Sequence, residues 1–143
     1  MNEEKWVYAV IDTNVLVSAL LSSMDHSNPF IILKSIYSKR VKPLFNNEIL
    51  DEYKAVLSRP KFHFTEYQTD LVIKSIVEYG LKIEGEVVSD EVFPDPKDIV
   101  FYEVRMAVDD SYLVTGNIKH FPKKPYVVTP AQMVEILIEK GLI

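Results

Sequence analysis

The sequence predicts an α/β domain, a three-layer α/β/α sandwich around a central, mainly parallel sheet. Short runs of β-branched and aromatic residues, which favour strands, alternate along the chain with segments whose apolar residues recur at helical spacing. This alternation is typical of βαβ units, whose parallel strands are joined by right-handed crossovers. The first run, at 7–11, is apolar on both faces, as in a strand that a parallel sheet buries.

The size and composition of the chain limit its organisation. With 143 residues it is most simply one domain, so we expect residues 1–143 to share a core that needs no disulfide or metal. The chain has no cysteine, which excludes disulfides and thiolate metal sites and fits a reducing, cytoplasmic location. The acidic start M-N-E-E-K-W argues against a signal peptide, and no apolar run predicts a membrane span.

The balance of charges bears on possible partners. Sixteen basic and twenty-one acidic residues give a net charge of −5. Nucleic-acid binders are usually basic, so this total counts mildly against one. It does not exclude an enzyme that reaches phosphates through bound cations.

Local signals predict where the elements begin and end. Thr65 with Gln68, and Thr129 with Gln132, have the pattern of a capping box, and Gly80 is a candidate for the residue that ends the fourth helix. The other expected helix starts are Asp12–Asn14, Pro29, Asn46 or Asn47, and Asp95 followed by Pro96; the expected strands are 7–11, 41–45, 81–83, 112–115 and 126–128, with polar loops at 22–28 and 84–92.

Three small polar residues, Asp12, Thr13 and Asn14, separate the first strand from the first helix. A carboxylate at this point lies in the crevice at the carboxyl end of a strand, where open α/β sheets bind ligands. The alternative is that one of the three only caps the helix, because such side chains satisfy free N–H groups at a helix start. A lone aspartate at a strand end does not decide between the two interpretations.

Acidic residues also occur at two other places that are expected near the same edge of the sheet. They are Glu48, Asp51 and Glu52 in the third helix, and Asp95, Asp98 and Glu103 in the fifth. Carboxylates that lie close together raise each other's pKa, and a divalent cation relieves that repulsion. Oxygen ligands suit Mg²⁺ or Mn²⁺, which can activate water for cleavage of a phosphodiester. For each acid the alternative is a solvated residue in the first turn of a helix, or a helix cap.

Four segments resemble motifs of the PIN domain family, which are metal-dependent nucleases. V-I-D-T-N-V-L-V-S-A is similar to the first acidic motif, I-L-D-E-Y-K-A-V-L-S-R-P-K-F to the second, D-P-K-D-I-V-F-Y-E-V to the third and L-V-T-G-N-I-K-H-F-P to the last. The resemblance extends over essentially the whole chain and implies a PIN-like fold. It is closest to the bacterial and archaeal branch described as toxin components of toxin–antitoxin systems.

The resemblance also implies an activity and site residues. It assigns catalysis and the binding of Mg²⁺ or Mn²⁺ to Asp12, Glu52 and Asp98. It implies an endoribonuclease that cleaves RNA with metal-activated water, with a cognate antitoxin as a possible partner and a homodimer as a common assembly. Residues expected to support the metal ligands are Thr13, Asn14, Thr115, Asn117 and Glu103.

One residue departs from the family pattern. Many members have an aspartate after T-G, where this chain has Asn117. A neutral amide removes one negative charge from the pocket and is expected to weaken a second metal ion. Glu103 or Asp95 is a candidate to supply the missing carboxylate. The T-G-N-x-x-H-F form nevertheless resembles a recurring variant of this branch.

Basic residues near the last motif are candidates for contacts with RNA phosphates. They are Lys119, His120, Lys123 and Lys124, which flank the expected pocket. The alternative is that the lysines are ordinary solvated surface and that His120 is packed or solvated.

Two other classes of function stay open on the sequence. A catalytically weak or inactive PIN module that binds RNA or a protein is favoured by Asn117 and the acidic net charge. A phosphatase of the haloacid dehalogenase type also begins with an aspartate at a strand end. That class needs a second aspartate two residues later, where this chain has Asn14.

Overall fold

The structure, a computed structural model, describes residues 5–22 and 26–143. Its strands are β1 (Val7–Ile11), β2 (Val41–Phe45), β3 (Leu81–Lys82), β4 (Ser111–Val114) and β5 (Val127–Val128). They form one parallel sheet in the order β3-β2-β1-β4-β5, which confirms the predicted α/β fold. Of the loop predicted at 22–28, residues 23–25 lie outside the described residues.

Six α-helices occur in the described ranges. They are α1 (Thr13–Leu21), α2 (Asn28–Tyr37), α3 (Asn47–Leu57), α4 (Glu66–Tyr79), α5 (Ile99–Met106) and α6 (Pro130–Glu139). The connections from β1 to β2 and from β2 to β3 run one way along the sheet, and the connection through α5 to β4 runs back. Right-handed crossovers in opposite directions place their helices on opposite faces, which gives three layers. None of these helices is both long and apolar enough to cross a membrane.

The central strand, β1, positions the site. It pairs with β2 on one side and with β4 on the other, so the direction of the connections reverses here. Its residues Ala9, Val10 and Ile11 are completely buried, in agreement with their apolar character on both faces. In sheets of this kind ligands bind in the crevice outside the carboxyl ends of such strands. The residues that follow Ile11 and Val114 line that crevice.

Three of the predicted helix starts are present as expected. The Thr65 side chain accepts from the backbone N–H of Gln68, whose side chain accepts in return from the backbone N–H of Thr65. Thr129 and Gln132 repeat this capping box at the start of α6. Asn46 caps α3. These short-range bonds depend on neighbouring residues alone, which explains why the sequence predicts them.

Several element ends differ from the expectation. The strands predicted at 81–83, 112–115 and 126–128 are Leu81–Lys82, Ser111–Val114 and Val127–Val128, and α2 begins at Asn28, one residue before Pro29. Asp95 begins a 3₁₀ turn, Pro96–Asp98, and α5 follows only after it, because the Asp95 side chain bonds to the backbone two residues later and closes a tight turn. Gly80 has an extended conformation in place of the left-handed one that ends many helices. A Cβ atom at Gly80 would collide with the carbonyl oxygens of Ile76 and Pro43, so close packing explains this glycine.

Candidate active site

Asp12 lies at the carboxyl end of β1, immediately before α1. Its backbone N–H donates to the carbonyl of Val114 in β4 (2.9 Å), which fixes it between the two central strands. Asp12 occupies the N-cap position of α1, but its side chain makes no capping hydrogen bond. The residue is only 6% exposed. Helix capping therefore does not account for this buried carboxylate.

Side chains and the loop after β4 hold the Asp12 carboxylate. Its Oδ2 atom accepts from the Thr115 hydroxyl (2.7 Å) and from the Asn14 amide (3.1 Å). Asn14 Oδ1 accepts in turn from the backbone N–H of Gly116 (3.2 Å), and the backbone N–H of Asn117 donates to the Thr115 hydroxyl (2.9 Å). The first and last motifs of the sequence are thereby joined into one hydrogen-bonded unit.

The environment of Asp12 makes its ionised form unfavourable. Burial is the main cause, and it raises the pKa of Asp12 from 3.8 to about 6. The hydrogen bond from Thr115 opposes this shift, while the negative charge of Asp98 adds to it. A nearby cation would stabilise the ionised form of this carboxyl group. A buried carboxyl group with a raised pKa is therefore a candidate functional group.

Asp98 faces Asp12 from the end of the 3₁₀ turn before α5. Burial raises the pKa of Asp98 and the charge of Asp95 adds to this, while His120 lowers it. Asp98 Oδ2 is buried and has no hydrogen-bond partner among the described residues. His120 Nδ1 lies 3.4 Å away, which is an ion-pair distance but longer than a normal hydrogen bond.

Glu52, in α3, acts on Asp98 through its charge. It is half-buried, and its charge is one of those that raise the pKa of Asp98. The next residue, Tyr53, is completely buried and its hydroxyl donates to the carbonyl of Ile11 at 2.5 Å. Burial and the charge of Asp12 raise the pKa of this hydroxyl above its usual range. Tyr53 therefore fixes α3 against the end of β1 and so positions Glu52.

The other predicted site residues have different surroundings. Glu103 accepts from the backbone N–H of Ser89 (2.7 Å), so its described contact is with the segment between β3 and α5. Asn117 is exposed. Thr13 is buried, and its hydroxyl has no partner among the described residues. Of the predicted RNA contacts, Lys119 and Lys123 are exposed, and Lys124 lies 3.9 Å from Glu91.

Two features of the site are not among the sequence-based predictions. Tyr53 is not among the predicted site residues, although a tyrosine hydroxyl beside an acid needs a partner when it is buried. That requirement was the available signal for its positioning role. His120 is predicted to contact RNA phosphates, or else to be packed or solvated, and its contact with Asp98 depends on the path of the chain after β4, which no local pattern encodes.

A bound cation requires several ligand atoms close together. In the described ranges, no three acidic or histidine side chains converge closely enough to form a metal site. The chemistry of the pair Asp12 and Asp98 nevertheless fits a hard cation. Asp98 presents a buried oxygen without a hydrogen bond, both groups have raised pKa values, and oxygen ligands suit Mg²⁺ or Mn²⁺.

One comparison with known proteins identifies the family of the chain. The family model described as PIN domain matches residues 8–119, a range that contains Asp12, Glu52 and Asp98. The comparisons with curated proteins and with solved structures each found no match. PIN domains are typically nucleases, which hydrolyse phosphodiester bonds. The chain belongs to the PIN domain family.

Proposed function

We propose that this protein is a metal-dependent endoribonuclease. The proposal rests on one observation, the burial of Asp12 beside Asp98 in the crevice at the carboxyl ends of the central strands. Two acids with raised pKa values are stabilised when a cation neutralises them. Mg²⁺ or Mn²⁺ matches their oxygen atoms best, and family membership supports a nuclease.

Asp12, Glu52 and Asp98 are proposed to hold the ion, directly or through water. When bound, the ion supplies a Lewis acid and lowers the pKa of water near the phosphodiester. The chain's own residues orient these ligands: Tyr53 fixes the helix that carries Glu52. Supporting roles around the ligands are proposed for Thr13, Asn14, Thr115, Asn117 and Glu103. For Glu103 the test is direct, because unchanged metal affinity in Glu103→Gln would remove it from this group.

The proposed substrate is RNA, either single-stranded or structured. Contacts to its phosphates are proposed for the basic residues that follow β4, namely Lys119, His120, Lys123 and Lys124. Changing the three lysines to glutamate is expected to weaken RNA binding and to reduce its dependence on salt. Unchanged affinity and salt dependence would show that these lysines do not contact RNA.

The experiment that tests the activity is RNA cleavage with Mg²⁺ or Mn²⁺, with a transfer RNA and an unstructured strand as substrates. We expect cleavage that EDTA abolishes and that Asp12→Asn reduces by at least about 100-fold, in line with the loss of a key electrostatic group. The matched control is Asp51→Asn, which removes an exposed acid from α3 and is expected to cleave normally. Equal activity in wild type and Asp12→Asn would contradict the proposal and indicate contamination.

A second candidate is an inactive PIN module that binds RNA or a protein. The absence of a three-residue metal site from the described ranges favours it, together with the neutral Asn117. RNA binding without metal-dependent cleavage would support this alternative. Asn117→Asp then tests whether one additional carboxylate restores cleavage.

The biological role proposed is that of a toxin held inactive by a cognate antitoxin, with a homodimer as the working assembly. This role is supported by the resemblance of the four motifs to the toxin branch of the family. Expression of the chain alone is expected to arrest growth, and Asp12→Asn is expected to relieve the arrest. Unimpaired growth with wild-type protein that cleaves RNA in vitro would argue against a toxin.

A further inference from the structure

A surface with lysines and aromatic rings lies at the amino ends of the strands, opposite the candidate active site. Trp6, which is 38% exposed, precedes β1, and Lys42 Nζ lies 4.3 Å from the centroid of its ring system. Lys39 Nζ lies 5.9 Å from the ring centroid of Tyr79. Grooves of about 480 and 330 Å³ adjoin Trp6 on this surface. We call the surface formed by Lys5, Trp6, Lys39, Lys42 and Tyr79 the basic aromatic patch.

The charge of the basic aromatic patch is opposite to that of the whole chain. Among the residues that the structure describes, the charged side chains that line the two grooves are Lys5, Lys39, Lys42, Lys140, Glu78 and Asp110. Four lysines against two acids leave an excess of positive charge, whereas the net charge of the chain is −5. A local positive field on an acidic protein attracts polyanions. The exposed ring of Trp6 and the half-buried ring of Tyr79 lie among the lysines and are surfaces on which bases can stack.

The backbone conformation of Lys39 is fixed by the end of helix α2. Helix α2 ends in a Schellman motif, in which the N–H of Lys39 donates to the carbonyl of Ile36 (3.0 Å) and that of Arg40 to the carbonyl of Ser35 (2.8 Å). Lys39 has a φ of 65°, the left-handed conformation that favours glycine. The Lys39 side chain is thus carried by a backbone conformation that glycine would adopt without strain.

We propose that the basic aromatic patch binds single-stranded nucleic acid. The lysines contact phosphates, and bases stack on Trp6 and Tyr79. The length of β1 places Trp6 roughly 20 Å from Asp12, at about 3.3 Å per residue, so this surface is separate from the candidate active site. It would hold a part of the RNA at a distance from the bond that is cleaved. The choice of RNA rests on the proposed function, whereas binding itself needs neither metal nor cleavage.

Trp6 provides a specific readout because it is the only tryptophan in the chain. We expect oligouridine to quench the tryptophan fluorescence in a saturable way, in EDTA. Binding is then measured by the anisotropy of labelled oligouridine with variants of the patch. Trp6→Ala is expected to weaken binding about 5- to 150-fold, the usual range for one stacked base, and Trp6→Phe to retain most of it.

The lysines are tested by salt dependence. Combined Lys39→Ala and Lys42→Ala is expected to reduce the slope of log K against log salt by about 1.4, since each phosphate contact to a single strand contributes about 0.7. The matched control combines Lys54→Ala and Lys74→Ala, two exposed lysines on α3 and α4, and is expected to leave affinity and slope unchanged. Thermal unfolding checks that every variant is folded.

Several outcomes would overturn the inference. It fails if oligouridine leaves the fluorescence unchanged, or if the control pair weakens binding as much as the patch pair. It also fails if the fluorescence responds to protein concentration and not to RNA, because a second copy of the chain would then be the occupant. If the protein cleaves RNA in a way that depends on Asp12 but oligouridine does not quench the fluorescence of Trp6, the basic aromatic patch is refuted and the proposed nuclease is not. If oligouridine quenches the fluorescence but no cleavage depends on Asp12, the proposed nuclease is refuted and the patch is not.

Discussion

The hydroxyl group of Thr115 serves two parts of the candidate active site. It donates to Asp12 Oδ2 and accepts from the backbone N–H of Asn117, and the residue is completely buried. Thr115→Val replaces the hydroxyl with a methyl group of similar size, so Asp12 loses a donor and the Asn117 N–H loses its acceptor. We expect the free energy of unfolding to fall by roughly 1–3 kcal/mol and the pKa of Asp12 to rise further.

Urea unfolding in EDTA measures this loss, and NMR titration of the carboxyl carbon follows the pKa of Asp12. The control is Thr115→Ser, which retains the hydroxyl and removes only a methyl group. The serine variant is expected to keep the pKa of the wild type. If valine and serine shift the pKa of Asp12 equally, the hydrogen bond from residue 115 does not hold the carboxylate.

The buried charge of Asp12 makes stability depend on pH. Its pKa is about 6 in the folded protein and 3.8 as its ordinary value, so the folded state binds more protons between these values. Below pH 4 the group is neutral in both states. Between about pH 4 and pH 6 the free energy of unfolding falls by up to about 3 kcal/mol. An asparagine at position 12 would avoid this loss because it does not ionise.

Asp12→Asn is therefore expected to stabilise the metal-free protein at pH 8 by up to about 3 kcal/mol, or roughly 6–12 °C in Tm, and to have little effect at pH 4. The measurement is thermal unfolding of both proteins in EDTA across this pH range. A stability difference that stays constant with pH would mean that the pKa of Asp12 is not raised. An inactive but more stable variant would indicate that the site is retained for function.

At the scale of the elements, the end of α2 stores strain at Lys39. Lys39→Gly relieves the left-handed conformation but adds freedom to the unfolded chain, and we expect a net stabilisation of about 0.5–1 kcal/mol. Lys39→Ala removes the same side chain and keeps the strain, so it is expected to unfold at nearly the wild-type temperature. Calorimetry of the two variants separates backbone from side chain. Equal Tm values for alanine and glycine would exclude strain at this position.

The elements were predictable where their signals are local. Both capping boxes, the cap at Asn46 and the buried strand before Asp12 are encoded by residues within a few positions of one another. The role of Gly80 was not predictable, because it depends on the distance between the end of α4 and Pro43 in β2. That distance is fixed by packing between elements that are far apart in the sequence.

The candidate site was predictable to a similar degree. Asp12 could be placed in the crevice of a parallel sheet because it follows an apolar strand, but that position alone left helix capping as the alternative, and the resemblance of the motifs supplied the proposed role. The hydrogen bond from Thr115 to Asp12 joins residues 103 positions apart, and the anchoring of Tyr53 to Ile11 joins residues 42 positions apart. Contacts of this length follow from the strand order and not from any local pattern.

At the scale of the whole molecule, the two ends of the sheet carry opposite charge patterns. The carboxyl ends of the strands hold the acids Asp12, Glu52 and Asp98, whereas the basic aromatic patch lies where the strands begin. Because its strands are parallel, the sheet separates the two sets by the length of a strand. The net charge of −5 therefore conceals a positive surface. The net charge of the whole chain is therefore a poor guide to whether part of its surface binds nucleic acid.

Binding of a divalent cation is expected to stabilise the entire domain, since the ion binds the folded state and relieves the repulsion at Asp12 and Asp98. At a Mn²⁺ concentration one hundred times the Kd, the gain is about 2.7 kcal/mol, which corresponds to roughly 5–11 °C in Tm. Asp12→Asn is expected to show little or none of this rise, and Asp51→Asn all of it, because Asp51 is exposed and outside the site. Thermal unfolding with increasing Mn²⁺ measures the shift without any substrate. The same rise in wild type and Asp12→Asn would mean that the ion binds elsewhere, and the nuclease proposal would then lose its metal site.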